Sequence, residues 1–270
     1  MNSNVIKIAL ASDIRVTTLS QKSRRHFLPP HLPADVLVLA GDVSNADDAV
    51  EIIFEIADRY PHLEIVFVAG NYEFYGRIPR PETVTWLRQI SQENERIHFL
   101  ENDRITLHGV TFLGCTLWTD FSLLGEQELA MESAARDIVD FLCIHERVGL
   151  KFHPKDCERL FMESYEFLAQ NLANCDPNST VVVTHFAPGL ETQNRNCEVK
   201  PVSSYFQANV ATLINCYQPA LWIYGHNDDS NDRMVGRTRV VSNQFGYHDW
   251  PRSANRFDPN KIIRMAVVGG

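Results

Sequence analysis

Short apolar runs alternate with amphipathic stretches along most of the chain. The apolar runs are rich in β-branched residues and end in turn residues, which is typical of buried strands. They cover residues 5–13, 35–42, 64–71, 179–185 and 220–226. Between them, residues 47–60 and 81–92 repeat apolar positions at spacings of three and four, the period of a helix with one buried face. The alternation predicts an α/β fold in which helices cover the outer faces of sheets.

Further strands are predicted in the second half of the chain. Residues 104–118 predict a β-hairpin that turns at His108 and Gly109. Near the C-terminus, residues 238–244 and 261–268 predict one strand each. We therefore expect more than one sheet.

The region from about residue 122 to 175 carries no strand pattern. Its stretches 126–148 and 154–174 both predict amphipathic helices. The pattern leaves open whether these helices cover a functional site or only pack against the sheets. Because no repeat, low-complexity tract or linker occurs, we expect one domain over residues 1–270.

Composition and charge exclude some partners. Of the 270 residues, 44% are hydrophobic and 22% charged, and the formal net charge is −9. This acidic balance makes a nucleic-acid partner unlikely, because phosphate contacts need clustered Lys and Arg. No apolar run approaches the ~20 residues of a membrane-spanning helix, and the first run leads directly into Asp13 without a cleavage site. We predict no membrane association and a cytoplasmic location.

Five predicted strands end on a side chain that can bind a metal ion. In α/β folds, ligands collect beyond the carboxyl ends of strands, where side chains from separate elements meet. One such ending would be explained by strand capping, whereas five with oxygen or nitrogen donors indicate a shared site. The five residues are Asp13, Asp42, Asn71, His185 and His226.

The segments around these strand ends resemble the motifs of the calcineurin-like metallophosphoesterases. The family carries D-x-H, G-D, G-N-H-[ED], a later T-H and G-H-x-H. The matching segments here, in the same order, are "SDIR" (12–15), "AGDVSN" (40–45), "GNYE" (70–73), "THFAP" (184–188) and "GHND" (225–228). The resemblance implies a four-layer α/β/β/α sandwich with two mixed sheets flanked by helices, and hydrolysis of phosphoric esters at a pair of metal ions.

The differences from the family motifs are concentrated in one half of that implied metal site. The resemblance assigns the second metal to Asp42, Asn71, His185 and His226, all of which are present. The first metal would take Asp13 and Asp42, but Arg15 and Asp228 replace its two histidines. Phe186 also stands where close relatives often carry a histidine.

Arg15 cannot ligate a metal, since its guanidinium has no lone pair and stays protonated. The hypothesis is that Arg15 fills the place of the first metal and pairs with Asp228 and Asp13. An internal cation would relieve the repulsion within a buried carboxylate cluster. We therefore expect one divalent ion (Mn, Fe or Zn), with a second ion doubtful.

Tyr72 replaces the histidine that assists the leaving group in the family. An unperturbed tyrosine has a pKa of about 10, which makes it a poor acid near neutral pH. Its ring could instead pack with Phe74 and Tyr75. Arg15, Tyr72 and Asp228 are the candidate catalytic residues, and loss of a general acid costs ~10²–10⁴-fold in rate.

Three functions are compatible with this pattern. The first is a metal-dependent hydrolase of a small phosphorylated molecule or nucleotide, with weak or atypical activity. The second is an inactive relative that binds a protein partner, as the resemblance to a retromer component implies. The third is other chemistry at a mononuclear iron-type site, because two histidines and a carboxylate suit non-haem iron.

Overall fold

Two mixed β-sheets lie face to face in the computed structural model, which describes residues 5–16, 27–194, 198–246 and 256–267. The first sheet has the strand order β15-β1-β2-β3-β4. These strands are β1 (Val5–Ala11), β2 (Val36–Ala40), β3 (Glu64–Val68), β4 (Ile97–Phe99) and β15 (Ile262–Ala266). Strands β1 to β4 run parallel, and β15 pairs antiparallel with β1.

The second sheet has the order β13-β14-β12-β9-β6-β5. Its strands are β5 (Asp103–Leu107), β6 (Val110–Cys115), β9 (Thr180–Thr184), β12 (Leu221–Tyr224), β13 (Asp232–Val235) and β14 (Thr238–Ser242). Strands β6, β9, β12 and β14 are parallel, whereas β5 and β13 pair antiparallel at the edges. Two short strands, β10 (Ala187–Pro188) and β11 (Gln207–Ala208), form a separate parallel pair. The predicted hairpin is confirmed as β5 and β6, with His108 and Gly109 between them.

Alternate residues of each strand form two separate layers of the core. Ile8, Val38, Val66, Val183 and Ile223 belong to one apolar cluster, and their immediate neighbours along the strands belong to another. The first cluster fills the space between the sheets, because it joins residues of both and, among the residues that the structure describes, includes none from a helix. The second lies beneath the helices. This arrangement confirms the predicted four-layer α/β/β/α sandwich.

Helices pack on the outer faces. They are α1 (Ala46–Arg59), α2 (Arg80–Ser91), α3 (Gln127–Asp137), α4 (Asp140–Cys143), α5 (Pro154–Leu172) and α6 (Ala211–Tyr217). The side chain of Asn45 caps α1 by accepting from the backbone N–H of Asp48 at 3.2 Å. Helix α5 begins with Pro154, whose missing N–H costs nothing at that position. Within the ranges that the structure describes, no helix could cross a membrane.

The predicted helix over residues 126–148 is wrong in its second half. Helix α3 ends at Asp137, the one-turn helix α4 follows, and the chain then forms a small hairpin of β7 (His145–Arg147) and β8 (Leu150–Lys151). Apolar residues 138, 139, 141 and 142 continue the spacing of a helix, but the backbone at Ile138 is extended, with φ −98° and ψ 125°, and ends α3. The second predicted helix corresponds to α5. The single domain over residues 1–270 stays a prediction.

Candidate functional site

Parallel strands of both sheets end at one edge of the sandwich, and the predicted site residues follow those ends. Asp13 follows β1, Asp42 follows β2, and Asn71 follows β3 in the first sheet. His185 directly follows β9, and His226 comes two residues after β12 in the second sheet. Because the sheets face each other, side chains from both reach the space above their common core.

Five of the eight candidate site residues have a left-handed backbone conformation. For residues other than glycine such φ values are sparsely populated, and they persist where the surrounding structure requires them. The residues are Asp13 (φ 55°), Arg15 (48°), Asp42 (55°), His226 (77°) and Asp228 (54°). These left-handed turns bring the side chains together above the strand ends.

Two glycines allow the close approach of these turns. A Cβ on Gly41, where φ is 81°, would collide with the imidazole of His185. A Cβ on Gly70 would collide with the carboxylate of Asp42 and lie 2.8 Å from the His185 ring. Glycine is therefore required at both positions for the side chains to meet.

Arg15 lies at the centre of three carboxylates, a group that we call the arginine cluster (Arg15, Asp13, Asp42 and Asp228). Its Nη2 is 3.1 Å from Asp13 Oδ1 and 3.1 Å from Asp42 Oδ2. Its Nη1 donates to Asp228 Oδ1 at 2.9 Å. The Arg15 side chain is only 3% exposed, so it is not a surface residue. Arg15 contacts both carboxylates named in the hypothesis, and Asp42 in addition.

The positive charge of Arg15 offsets part of the cost of burying the carboxylates of the arginine cluster. Burial raises the pKa of Asp13, and the positive charge of Arg15 opposes that rise. The pKa of Asp228 is raised for the same reason and opposed by the same guanidinium. Asp13 also accepts the hydroxyl of Ser12 at 2.6 Å and the backbone N–H of His226. These donors favour the ionised carboxylate in a site from which water is excluded.

Beside the arginine cluster, four donor atoms converge to form what we call the ligand cluster (Asp42, Asn71, His185 and His226). His185 Nε2 lies 3.0 Å from Asn71 Oδ1, 3.2 Å from His226 Nδ1 and 3.3 Å from Asp42 Oδ1. Asn71 Oδ1 lies 3.1 Å from His226 Nδ1. Ligand atoms bound at about 2.0–2.2 Å in tetrahedral or octahedral geometry stand roughly 2.9–3.6 Å apart. The separations of His185 Nε2 from the other three atoms fall in this range, as ligands of one metal ion would.

The tautomer of His185 and the protonation state of His226 agree with this fit. His185 Nδ1 lies 2.8 Å from the carbonyl oxygen of Ala40, so in the neutral ring that nitrogen donates and Nε2 keeps its lone pair. Burial lowers the pKa of His226 well below its ordinary value, and the nearby His185 and Arg15 lower it further. A neutral His226 is the form that a metal requires. Burial also lowers the pKa of His185, but the carboxylates of Asp42 and Asp13 raise it by more.

Tyr72 contacts the arginine cluster through its ring. The guanidinium carbon of Arg15 lies 4.9 Å from the ring centroid, a cation–π distance. The opposite packing partner is Tyr75, whose ring is stacked at a centroid distance of 4.5 Å. Phe74, the other predicted partner, stacks on Trp118 at 5.9 Å. The Tyr72 ring thus packs on an aromatic neighbour and also faces a site residue.

Phe186 packs directly on a member of the ligand cluster. Its ring is stacked on that of His226, with centroids 3.9 Å apart. His226 Nε2 is buried and makes no hydrogen bond to the residues that the structure describes. The apolar ring therefore fixes the plane of the imidazole by packing.

Glu73 holds the strand-end loops together and has no role in the sequence-based hypothesis. Its buried carboxylate accepts the backbone N–H groups of Asp42 at 2.9 Å, Val43 at 2.8 Å and Gly70 at 2.6 Å. Burial raises its pKa to about 7, and the charge of Asp42 adds to that rise. The sequence feature that indicates a role for Glu73 is its place at the acidic position of the G-N-H-[ED] motif.

Gln244 and Asp140 also support the site, and no local pattern indicates either of them. Gln244 Oε1 accepts the backbone N–H of Asp228 at 2.7 Å, and its Nε2 donates to Asn227 Oδ1 at 2.7 Å. Asp140 accepts from the side-chain amide of Asn71 at 3.1 Å. Both residues lie far from their partners along the chain, so only the folded structure brings them together.

The comparisons with known proteins agree on the architecture. Phosphopantetheinyl hydrolase (PptH) from Mycobacterium tuberculosis superposes with a TM-score of 0.72 at 18% sequence identity, covering 96% of this chain and 95% of that one. Uncharacterized protein L509 of Acanthamoeba polyphaga mimivirus is 25% identical over 251 residues, which are 86% of this chain and 85% of that protein. At these identities the solved structure supports the fold alone.

One family model matches most of the chain. The model described as calcineurin-like phosphoesterase matches residues 6–228, which include every candidate site residue. The match supports the predicted phosphoesterase-like hydrolase, and the buried group of Asp13, Asp42 and His185 offers ligand atoms within 4.8 Å of one another. The chain belongs to the calcineurin-like phosphoesterase family.

Proposed function

We propose that this protein is a metal-dependent hydrolase of a small phosphorylated molecule, with one dication at the ligand cluster and Arg15 in place of a second. The observation that carries the proposal is the division of the Asp42 carboxylate. Its Oδ1 lies 3.3 Å from His185 Nε2, toward the ligand cluster. Its Oδ2 lies 3.1 Å from Arg15 Nη2, within the arginine cluster. One carboxylate thus serves a metal on one side and a guanidinium on the other.

The donor set supports this assignment. Two imidazoles, one carboxylate and one amide oxygen suit Zn²⁺, Fe²⁺ or Mn²⁺ and leave coordination positions for water and substrate. A dication bound there would polarise a phosphoryl oxygen and lower the pKa of a bound water. Arg15 pairs with Asp13, Asp42 and Asp228 beside it without supplying a second Lewis acid.

The other residues of the site make efficient turnover difficult. The Tyr72 ring, and not an imidazole, occupies the position of the family's leaving-group acid. Near neutral pH a tyrosine gives up its proton poorly, so a leaving group of low basicity is favoured. Asp228, whose side chain is 22% exposed, is the most accessible carboxylate of the arginine cluster. We therefore expect slow hydrolysis of activated phosphodiesters.

A binding protein without turnover is the second candidate. The filled arginine cluster favours it, because Arg15 already satisfies the carboxylates that would bind a second metal ion. The family fold with its one ligand cluster could then hold a metal and a phosphorylated ligand without cleaving the ligand. Metal content and diester hydrolysis, measured on the same protein, distinguish catalysis from binding.

The first prediction concerns metal content and turnover. Elemental analysis of the purified protein is expected to give one dication per chain, and bis(p-nitrophenyl) phosphate is expected to be cleaved in a metal-dependent way. His185→Ala should reduce both to background, because it removes a ligand. His98→Ala is the matched control, since His98 pairs with Glu64 at 2.8 Å and is not in the ligand cluster.

Other results would decide against the hydrolase. One metal per chain without hydrolysis of this diester, or of a phosphopantetheine-bearing diester chosen after the name of the Mycobacterium tuberculosis neighbour, favours the binding protein. Iron alone, with oxygen-dependent activity, would favour the iron-type site. Two metals per chain would contradict the proposed role of Arg15.

The second prediction concerns the stability that Arg15 provides. In the presence of a chelator, Arg15→Ala should lower the free energy of unfolding by about 3–5 kcal/mol, because it leaves buried carboxylates without a cation. Urea denaturation measures the change. Arg136→Ala is the control: Arg136 also pairs with an aspartate but is 71% exposed, so no measurable change is expected. Equal effects of the two substitutions would contradict the account.

The third prediction restores the family's ligands. Arg15→His combined with Asp228→His supplies the two imidazoles that the family uses for its first metal. The metal content should rise from one to two dications per chain, and diester hydrolysis should increase. Arg15→His alone is the comparison. A folded double variant that still binds one metal would show that Arg15 does not occupy the place of a metal ion.

A further inference from the structure

Asp140 is a buried acceptor that lies directly behind the ligand cluster. It is the first residue of helix α4, and only 1% of its surface is exposed. Asn71 Nδ2 donates to its Oδ1 at 3.1 Å, and the hydroxyl of Tyr75 donates to the same oxygen. The hydroxyl of Tyr205 donates to Oδ2. All three neighbours of this carboxylate act as donors.

The two ends of the Asn71 carboxamide are chemically different. Only its oxygen can ligate a cation, whereas its nitrogen carries two hydrogens and has no lone pair to offer. A half-turn of the amide about its last torsion exchanges the two ends at almost the same shape. Something outside the ligand cluster must therefore determine which end faces His185 and His226.

An ionised carboxylate accepts hydrogen bonds and donates none, so it selects the nitrogen end of the amide. With Nδ2 held at 3.1 Å from Asp140, Oδ1 lies 3.0 Å from His185 Nε2 and 3.1 Å from His226 Nδ1. The tyrosines reinforce the selection. The hydroxyls of Tyr75 and Tyr205 also donate to Asp140, so this carboxylate acts as an acceptor toward every one of these partners.

The same network links the helical segment to the ligand cluster by packing. The Tyr205 ring contacts the His226 ring with centroids 5.3 Å apart and the Phe141 ring at 5.8 Å. Tyr75, on the other side, stacks on Tyr72 at 4.5 Å. Asp140 therefore lies where residues from three distant parts of the chain meet.

We propose that Asp140 is a positioning residue that turns the carbonyl oxygen of Asn71 toward the metal. The proposal rests on the proposed function, because it requires a metal at the ligand cluster. It gives the segment of α3, α4 and the β7–β8 hairpin a part in the site beyond covering the sheet. Asp140 touches neither the metal position nor substrate, and acts through Asn71.

Asp140→Asn tests this role with little change in volume. The carbonyl of the new side chain is expected to accept the fully buried Tyr205 hydroxyl, which leaves its amide hydrogens facing Asn71. Asn71 then turns its own oxygen away from the ligand cluster. The dissociation constant for Zn²⁺, measured by chelator competition, should rise about 10–100-fold. Tyr205→Phe is the control: it perturbs the same network but keeps the carboxylate facing Asn71, so less than a threefold change is expected.

A double-mutant cycle separates positioning from a general loss of structure. In an Asn71→Ala background, Asp140→Asn should cause no further loss of Zn²⁺ affinity, because the group through which it acts is gone. An equal loss in both backgrounds, or an unchanged affinity of the single variant, would overturn the proposal. A wild-type protein that binds no Zn²⁺ would instead overturn the proposed function on which this inference rests.

A measurement on the wild-type protein covers the case in which Asp140→Asn does not fold. In ¹⁵N-edited NMR spectra of the metal-free protein, the Asn71 side-chain amide hydrogens are expected to exchange slowly with solvent, because the buried carboxylate holds them. The same signals should persist after Zn²⁺ is added. Fast exchange in the metal-free protein would contradict the role of Asp140.

Discussion

The ion pairs of Arg15 with three aspartates are the interaction on which the site depends. Asp13 and Asp42 are completely buried, and two carboxylates at that depth repel each other unless a cation lies between them. In the calcineurin-like family a metal ion supplies the positive charge. Here a guanidinium on the chain supplies it, and the loops after β1, β2 and β12 take left-handed turns that bring the carboxylates to it. The cation is thus built into the fold.

Asp42 transmits the consequence to the other half of the site. Because its two oxygens face different partners, the position of Arg15 also determines where Asp42 Oδ1 meets His185. In the proposed function, a single dication would lie beside a fixed positive charge that cannot bind water or exchange ligands. On that proposal, the ligand cluster stays intact while the chemistry of a two-metal enzyme is reduced.

Much of the architecture could be predicted from local patterns. The β-branched runs gave the central strands, and the order of the motifs placed Asp42, Asn71, His185 and His226 at neighbouring strand ends. The α3–α4 break could not be predicted, since its apolar spacing continues past Asp137. Just beyond the break, Asp140 contacts residues 65 and 69 positions away in the chain, and no local pattern indicates such contacts. Likewise, nothing near Tyr72 in the sequence indicates that its ring faces the Arg15 guanidinium.

The central claim is that a guanidinium occupies the place of one metal ion of the pair. Crystals grown with Mn²⁺ and measured for anomalous scattering test it most directly, because each bound ion gives its own peak. The account predicts one peak per chain, bounded by Asp42, Asn71, His185 and His226, with the Arg15 guanidinium in continuous density between Asp13 and Asp228. A second peak between Asp13 and Asp42, with Arg15 displaced, would contradict it.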